Sequence, residues 1–118
     1  MKLCYPEFRM PVRNGKLASA TSGGSGAFTI GTVPSTDTWI LKDIRGTNRS
    51  GGAAVVQVFI TDSVHGVNAY VVNQSVPALG TYSWSGWVAM GPNDTLNFNG
   101  GAASVDVYAS GADLPGHL

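Results

Sequence analysis

A chain of 118 residues has room for one domain and little for a second. Seven Lys and Arg balance seven Asp and Glu, so no global field draws it to nucleic acid or an anionic membrane, and a 43% hydrophobic share excludes a disordered chain. A single Glu (Glu7) and two Gln leave helix-favouring surface residues scarce, while 16 Gly, 6 Pro and abundant Thr, Ser, Asn and Val point to an all-β fold. The expected architecture is one antiparallel β-sandwich, jelly-roll-like, of about seven to nine strands with an extended N-terminal arm. Charged residues make up only 12%, against a usual share of roughly 25%. Such a surface predicts a homo-oligomer that hides part of itself against other copies.

The first sixteen residues stand apart. Lys2, Arg9, Arg13 and Lys16 against Glu7 give this stretch +3, and Lys42, Arg45 and Arg49 against six Asp give the rest −3. Pro6 and Pro11 prevent a continuous helix, so residues 1–16 read as an extended basic arm and 17–118 as the domain. The alternative is a first strand or a solvated tail. Leu3, Tyr5, Phe8 and Met10 supply apolar area to such an arm, and Arg9 and Arg13 supply forked donors for carboxylates on a neighbour. Met1-Lys2-Leu3-Cys4 looks like a lipoprotein start but lacks the apolar run of about 7–15 residues that a signal peptide needs. Cys4 is the only cysteine, which excludes an internal disulfide and a cysteine metal cage. No stretch approaches the ~20 apolar residues of a membrane helix, so neither export by a signal peptide nor membrane insertion is expected.

Thr21 to Gly26 reads as a flexible loop. Strands are then expected over 27–33, 38–47, 53–61, 67–72, 80–90, 94–99 and 104–109, with a tight turn at Gly91-Pro92-Asn93-Asp94. Period-2 alternation places Val56, Val58, Ile60, Leu96, Phe98, Val105 and Val107 inward, with Asp106 and Tyr108 outward. The 38–47 strand breaks the alternation, because Trp39, Ile40 and Leu41 are consecutive. Either both its faces are covered or a bulge shifts its phase. Ser110 to Leu118 reads as a tail along the surface.

Little in the chain is suited to catalysis. Asp62, Ser63 and His65 lie in one loop, whereas triads draw their members from separate elements. A turn in which Asp62 caps a backbone N–H is the plain reading. The remaining acids fall in turns or singly on strands, with no grouping that argues a carboxylate pair or a calcium loop. The expectation is a protein that is not an enzyme, without catalytic residues, metal or cofactor. The aromatics carry more weight. Trp39, Tyr82, Trp84 and Trp87 suit core packing, a subunit interface or a platform for a host surface glycan. Trp84 and Trp87 are three apart, so one is expected inside and one outside. Few Lys or Arg accompany these rings, which argues against stacking on nucleic acid. With Phe8, Arg9 and Arg13 of the arm, these four aromatics form the candidate set for subunit or glycan contact.

The run Gly31-Thr32-Val33-Pro34 to Thr38-Trp39-Ile40-Leu41-Lys42-Asp43-Ile44 resembles small β-rich virion proteins of tailed bacteriophages. Asn48 to Val56, Ser75 to Thr81, the hairpin Trp84 to Leu96 and the ending Ser110 to Gly116 are similar to the same family, with Pro-Asn-Asp where Pro-Gly-Asp is more familiar. The resemblance implies a structural role on a virion. The subunit would be made in the host cytoplasm and attach to the tail or neck as a minor tail protein, or to the head as a decoration protein. Its implied partners are copies of itself and other virion proteins, and it carries over no catalytic residue.

Overall fold

The computed structural model describes residues 12–116. Eight strands follow in chain order: β1 (Arg13–Gly24), β2 (Phe28–Thr32), β3 (Asp37–Thr47), β4 (Ala54–Thr61), β5 (Asn68–Val76), β6 (Thr81–Met90), β7 (Thr95–Asn99) and β8 (Ala102–Pro115). They form two four-stranded sheets, β1-β8-β3-β6 and β2-β7-β4-β5, and every pairing is antiparallel. The chain changes sheet at each connection except the β4–β5 hairpin. That order is the jelly roll, an all-β sandwich as the composition implies.

The alternation builds the core. Val56, Val58, Leu96, Phe98 and Val105 are fully buried, and Ile60 and Val107 nearly so. Val56, Val58, Ile60, Leu96 and Phe98 of one sheet meet Val105 and Val107, with Leu41, Ile44 and Met90, of the other. Each such side chain contributes roughly 1.5–3 kcal/mol by leaving water. The irregular β3 is settled by a bulge. Leu41 faces Val88 and Asp43 faces Ser85, so Lys42 alone opposes Gly86 and Trp87; toward β8, Lys42 has no counterpart. The extra residue moves the buried phase from Trp39 and Leu41 to Ile44.

Three sequence expectations need correction. Thr21–Gly24 is the end of β1 rather than a loop, paired through Thr21↔Asp106, Gly23↔Ala103 and Gly24↔Ala102. Its glycines signal flexibility locally, but β8 supplies partners for its backbone, and the Ser22 hydroxyl fills the adjoining bulge. There it donates to the Ala102 carbonyl and accepts from the Val105 N–H at 3.1 Å. Ser110–Pro115 is the last part of β8 rather than a surface tail, because β1 and β3 flank it on both sides. Arg13–Lys16, assigned to the arm, begins β1. Residues 1–11 of the arm, with Leu3, Cys4, Tyr5, Phe8, Arg9 and Met10, lie outside the described residues, as does His117.

The tight turn keeps its geometry without the more familiar glycine. Asn93 takes φ 68° and the Asp94 N–H donates to the Gly91 carbonyl at 3.1 Å, the arrangement of a type II turn with proline second. Asp94 then accepts from the Gly91 N–H (2.8 Å) and the Ser63 N–H (2.9 Å), tying the β4–β5 loop to this turn.

Candidate functional site

The four candidate aromatics separate. Trp39 is 7% exposed and Tyr82 4%, so both belong to the core and neither offers a surface to a subunit or a glycan. Trp39 reaches across the sandwich to β2, where a Cβ on Gly31 would stand 3.2 Å from its ring. Tyr82 crosses β3 over Gly46 and donates its hydroxyl to the Asp106 carbonyl at 2.6 Å. A side chain on Gly46 would collide with both that carbonyl and the tyrosine ring. Burial, and the Asp106 charge after it, push the Tyr82 hydroxyl above the ordinary tyrosine range. Trp84 is partly buried against the core, while Trp87, at the bulge, is 69% exposed. One inside and one outside is the expected split, but no shelf of adjacent exposed aromatics forms from the four.

Arg13 turns inward on its own domain. Its Nη2 lies 2.7 Å from Asp113 of β8 and 4.0 Å from Asp37 of β3, closing the start of β1 onto its sheet. Burial, then the neighbouring Asp37, raise Asp113, whereas the hydrogen bond from Asp113 lowers Asp37. Asp113 Oδ1 is buried without a hydrogen-bond partner. Phe8 and Arg9 lie outside the described residues.

Two polar devices were missed by sequence reasoning. Arg49 grips Asp106 with both arms of its fork, Nε and Nη2 each at 2.8 Å, and Thr21 donates to the same carboxylate at 2.7 Å. The Arg49 hydrogen bonds hold Asp106 below the usual carboxylate range. Asn48 is fully buried at the end of β3. Its amide donates to the carbonyls of Gly52 (2.9 Å), Val76 (3.0 Å) and Pro77 (3.2 Å), and its oxygen accepts from the Ser50 N–H (2.9 Å) and hydroxyl (2.6 Å). A polar residue before Ser-Gly-Gly reads as turn chemistry, and nothing local marks it as buried.

In the β4–β5 loop, Asp62 accepts from the Val64 N–H at 2.9 Å, the expected cap, and this bond with the His65 contact lowers its pKa. His65 Nδ1 lies 2.9 Å from Asp62, but the Ser63 hydroxyl donates to the Pro92 carbonyl at 3.0 Å instead of meeting the imidazole. No nucleophile–base contact is made there.

The outer face of β2-β7-β4-β5 is the other site of interest. None of its four strands carries a charged residue, whereas β1, β3 and β8 of the other sheet hold Arg13, Lys16, Asp37, Lys42, Asp43, Arg45, Asp106 and Asp113. Hydrogen bonds cross the whole face. Thr29 donates to Asn97 (2.7 Å), Asn97 to Thr61 (2.9 Å) and Thr61 to Asn68 (2.8 Å), linking β2, β7, β4 and β5 in turn. Beside this row Phe59 and Tyr70 pack ring to ring at 4.9 Å, and Val55 and Tyr70 are each 52% exposed. Three surface depressions lie off this face. One of about 580 Å³ opens beside Arg45, Tyr82 and Tyr108, one of about 270 Å³ beside Arg13 and Trp39, and one of about 480 Å³ between Ile60 and Val88.

No protein-family model matches the chain, and no curated protein sequence does. Solved structures share its fold. A subunit of the Bacillus endospore appendages, described as disulfide-linked pili, is similar at 16% identity with a TM-score of 0.55 over 99% of this chain and 98% of its own. The Drosophila NLP core, described with pentamer formation and histone binding, is similar at 13% identity and a TM-score of 0.52 over 88% of this chain and 98% of its own. The virus-like particle protein of the prawn Macrobrachium rosenbergii extra small virus aligns at 14% identity over 92% of this chain and 80% of its own, with a TM-score of 0.37. At these identities the likeness is one of fold, and the fold argument rests on the first two.

Proposed function

We propose that this protein is a structural subunit that assembles with copies of itself into a particle or appendage. The observation that carries the reading is a jelly roll whose two sheets are unequal, one bearing every charged residue of the described strands and the other bearing none. A chain that stays alone in water disperses charge over its whole surface. Exposed Val55 and Tyr70 add apolar area that association would cover. Subunits of the same fold form pili in Bacillus and a pentamer in the Drosophila NLP core, which supports the reading by analogy of fold. Within it, the sequence resemblance favours a tailed-bacteriophage virion, with attachment at the tail or neck ahead of head decoration. The candidate glycan platform loses support, because Trp39 and Tyr82 are buried and Trp87 stands apart from them. Sedimentation velocity of the full chain across a wide concentration range tests the proposal. Discrete multiples of 12.2 kDa are expected, and a monomer at every concentration contradicts it.

A further inference from the structure

Resting on that reading, we infer that the outer face of β2-β7-β4-β5 is the surface through which two copies meet, face to face, about a two-fold axis. The first argument is charge. In a two-fold contact a residue near the axis meets its own copy, so any charge there opposes itself at close range. A face turned toward a different partner has no such constraint and gains from complementary charge. Here the constraint is met on all four strands together, although Asp, Lys and Arg occur on three of the four strands of the sheet behind.

The second argument is shape. A ligand such as an oligosaccharide calls for a concavity, and the depressions described above open on the other sheet or between the sheets. A hydrogen-bonded sheet surface instead matches another of its kind. Four strands spaced about 4.8 Å apart, with about 3.3 Å per residue, give this face roughly 400 Å² in plan. That is within a factor of two of the ~800 Å² each partner contributes to a standard interface.

The third argument is order. The Thr29–Asn97–Thr61–Asn68 row and the Phe59–Tyr70 pair fix these side chains before any partner arrives. Little rotamer freedom then remains to be lost on contact. Val55, near one end of β4, and Tyr70, on the edge strand β5, supply its exposed apolar side chains.

Charge reversal and cross-linking test this on the full-length protein. Val55→Glu and Tyr70→Glu should each weaken association at least tenfold in sedimentation while keeping the β-sheet circular dichroism. Trp87→Glu and Tyr108→Glu on the other sheet should leave it unchanged. Because a charge in a sheet can also impair folding, a second arm uses Cys4→Ser protein carrying Asn73→Cys or Tyr108→Cys. A short bismaleimide should join Asn73→Cys copies into dimers and leave Tyr108→Cys copies as single chains. A wild-type monomer overturns the assembly reading and this one with it. Wild-type oligomers that survive Val55→Glu and Tyr70→Glu, or that cross-link only through position 108, overturn the face and leave assembly standing. So does binding of an oligosaccharide that Tyr70→Glu abolishes while the oligomer persists.

Discussion

The two sheets share one core and yet finish their outer surfaces by different means. In β1-β8-β3-β6 the ties are ionic: Arg13 joins β1 to Asp113 of β8, Arg49 joins the β3–β4 connection to Asp106 of β8, and Arg45 pairs with Asp43 along β3 itself at 3.2 Å. In β2-β7-β4-β5 the ties are neutral, amide to hydroxyl, from Thr29 through Asn97 and Thr61 to Asn68. Exposed ion pairs are screened by salt and are worth little each, whereas neutral hydrogen bonds do not respond to ionic strength. The contrast teaches that sequence alternation sets the inside of a sandwich, and that the choice of polar residues sets what each outside can meet.

Substitutions should fall unequally on the two sheets. The largest effect falls where the sheets are alike. Phe98→Ala empties a fully buried site and should cost about 3–5 kcal/mol in urea unfolding, as a cavity in a core common to both sheets. Next comes the charged sheet's tightest crossing. Gly46→Val forces Tyr82 off the Asp106 carbonyl and should cost about 3 kcal/mol, with Tyr82→Phe milder at about 1 kcal/mol. The outer surfaces then part company. Asn97→Ala removes the centre of the neutral row and should cost roughly 1–2 kcal/mol at any salt concentration. Arg49→Met should cost less still, an effect that fades as salt is added.

Acid should act on the charged sheet and on the β4–β5 loop. Asp106 and Asp62 are held below the usual carboxylate range in the fold, by Arg49 and by the Val64 N–H respectively. Their contribution is complete above the unfolded carboxylate pKa and is lost as pH falls through the folded one. Asp113 is raised, so its share runs the other way: it is present at low pH and lost as pH rises through its folded pKa. Thermal midpoints measured from neutral pH downward should therefore fall in acid, and Asp106→Asn should flatten the fall. The smallest effect is a gain. Leu79 is held at φ 62°, where a side chain is strained, so Leu79→Gly should stabilise by roughly 0.5–1 kcal/mol.

Much of this was legible in the sequence. The seven inward residues, the outward Tyr108, the Asp62 cap and the split between Trp84 and Trp87 all followed from period-2 alternation or local turn chemistry. What escaped depends on partners far along the chain. Thr21–Gly24 looks like a linker until β8 pairs with it, some 80 residues later. Trp39 and Tyr82 look like surface anchors because aromatic side chains suit cores and interfaces equally. Only the small residues opposite, Gly31 and Gly46, admit them to the interior. The uncharged face was present in the strand compositions, but it becomes a face only once topology places β2, β7, β4 and β5 side by side.

A cryo-electron microscopy map of the assembled protein tests the central claim most directly. The account predicts β2-β7-β4-β5 of one copy stacked on the same sheet of another, with Val55 and Tyr70 at the contact and the charged sheet turned outward. Copies joined through the outer face of β1-β8-β3-β6, with Val55 and Tyr70 in solvent, would contradict it.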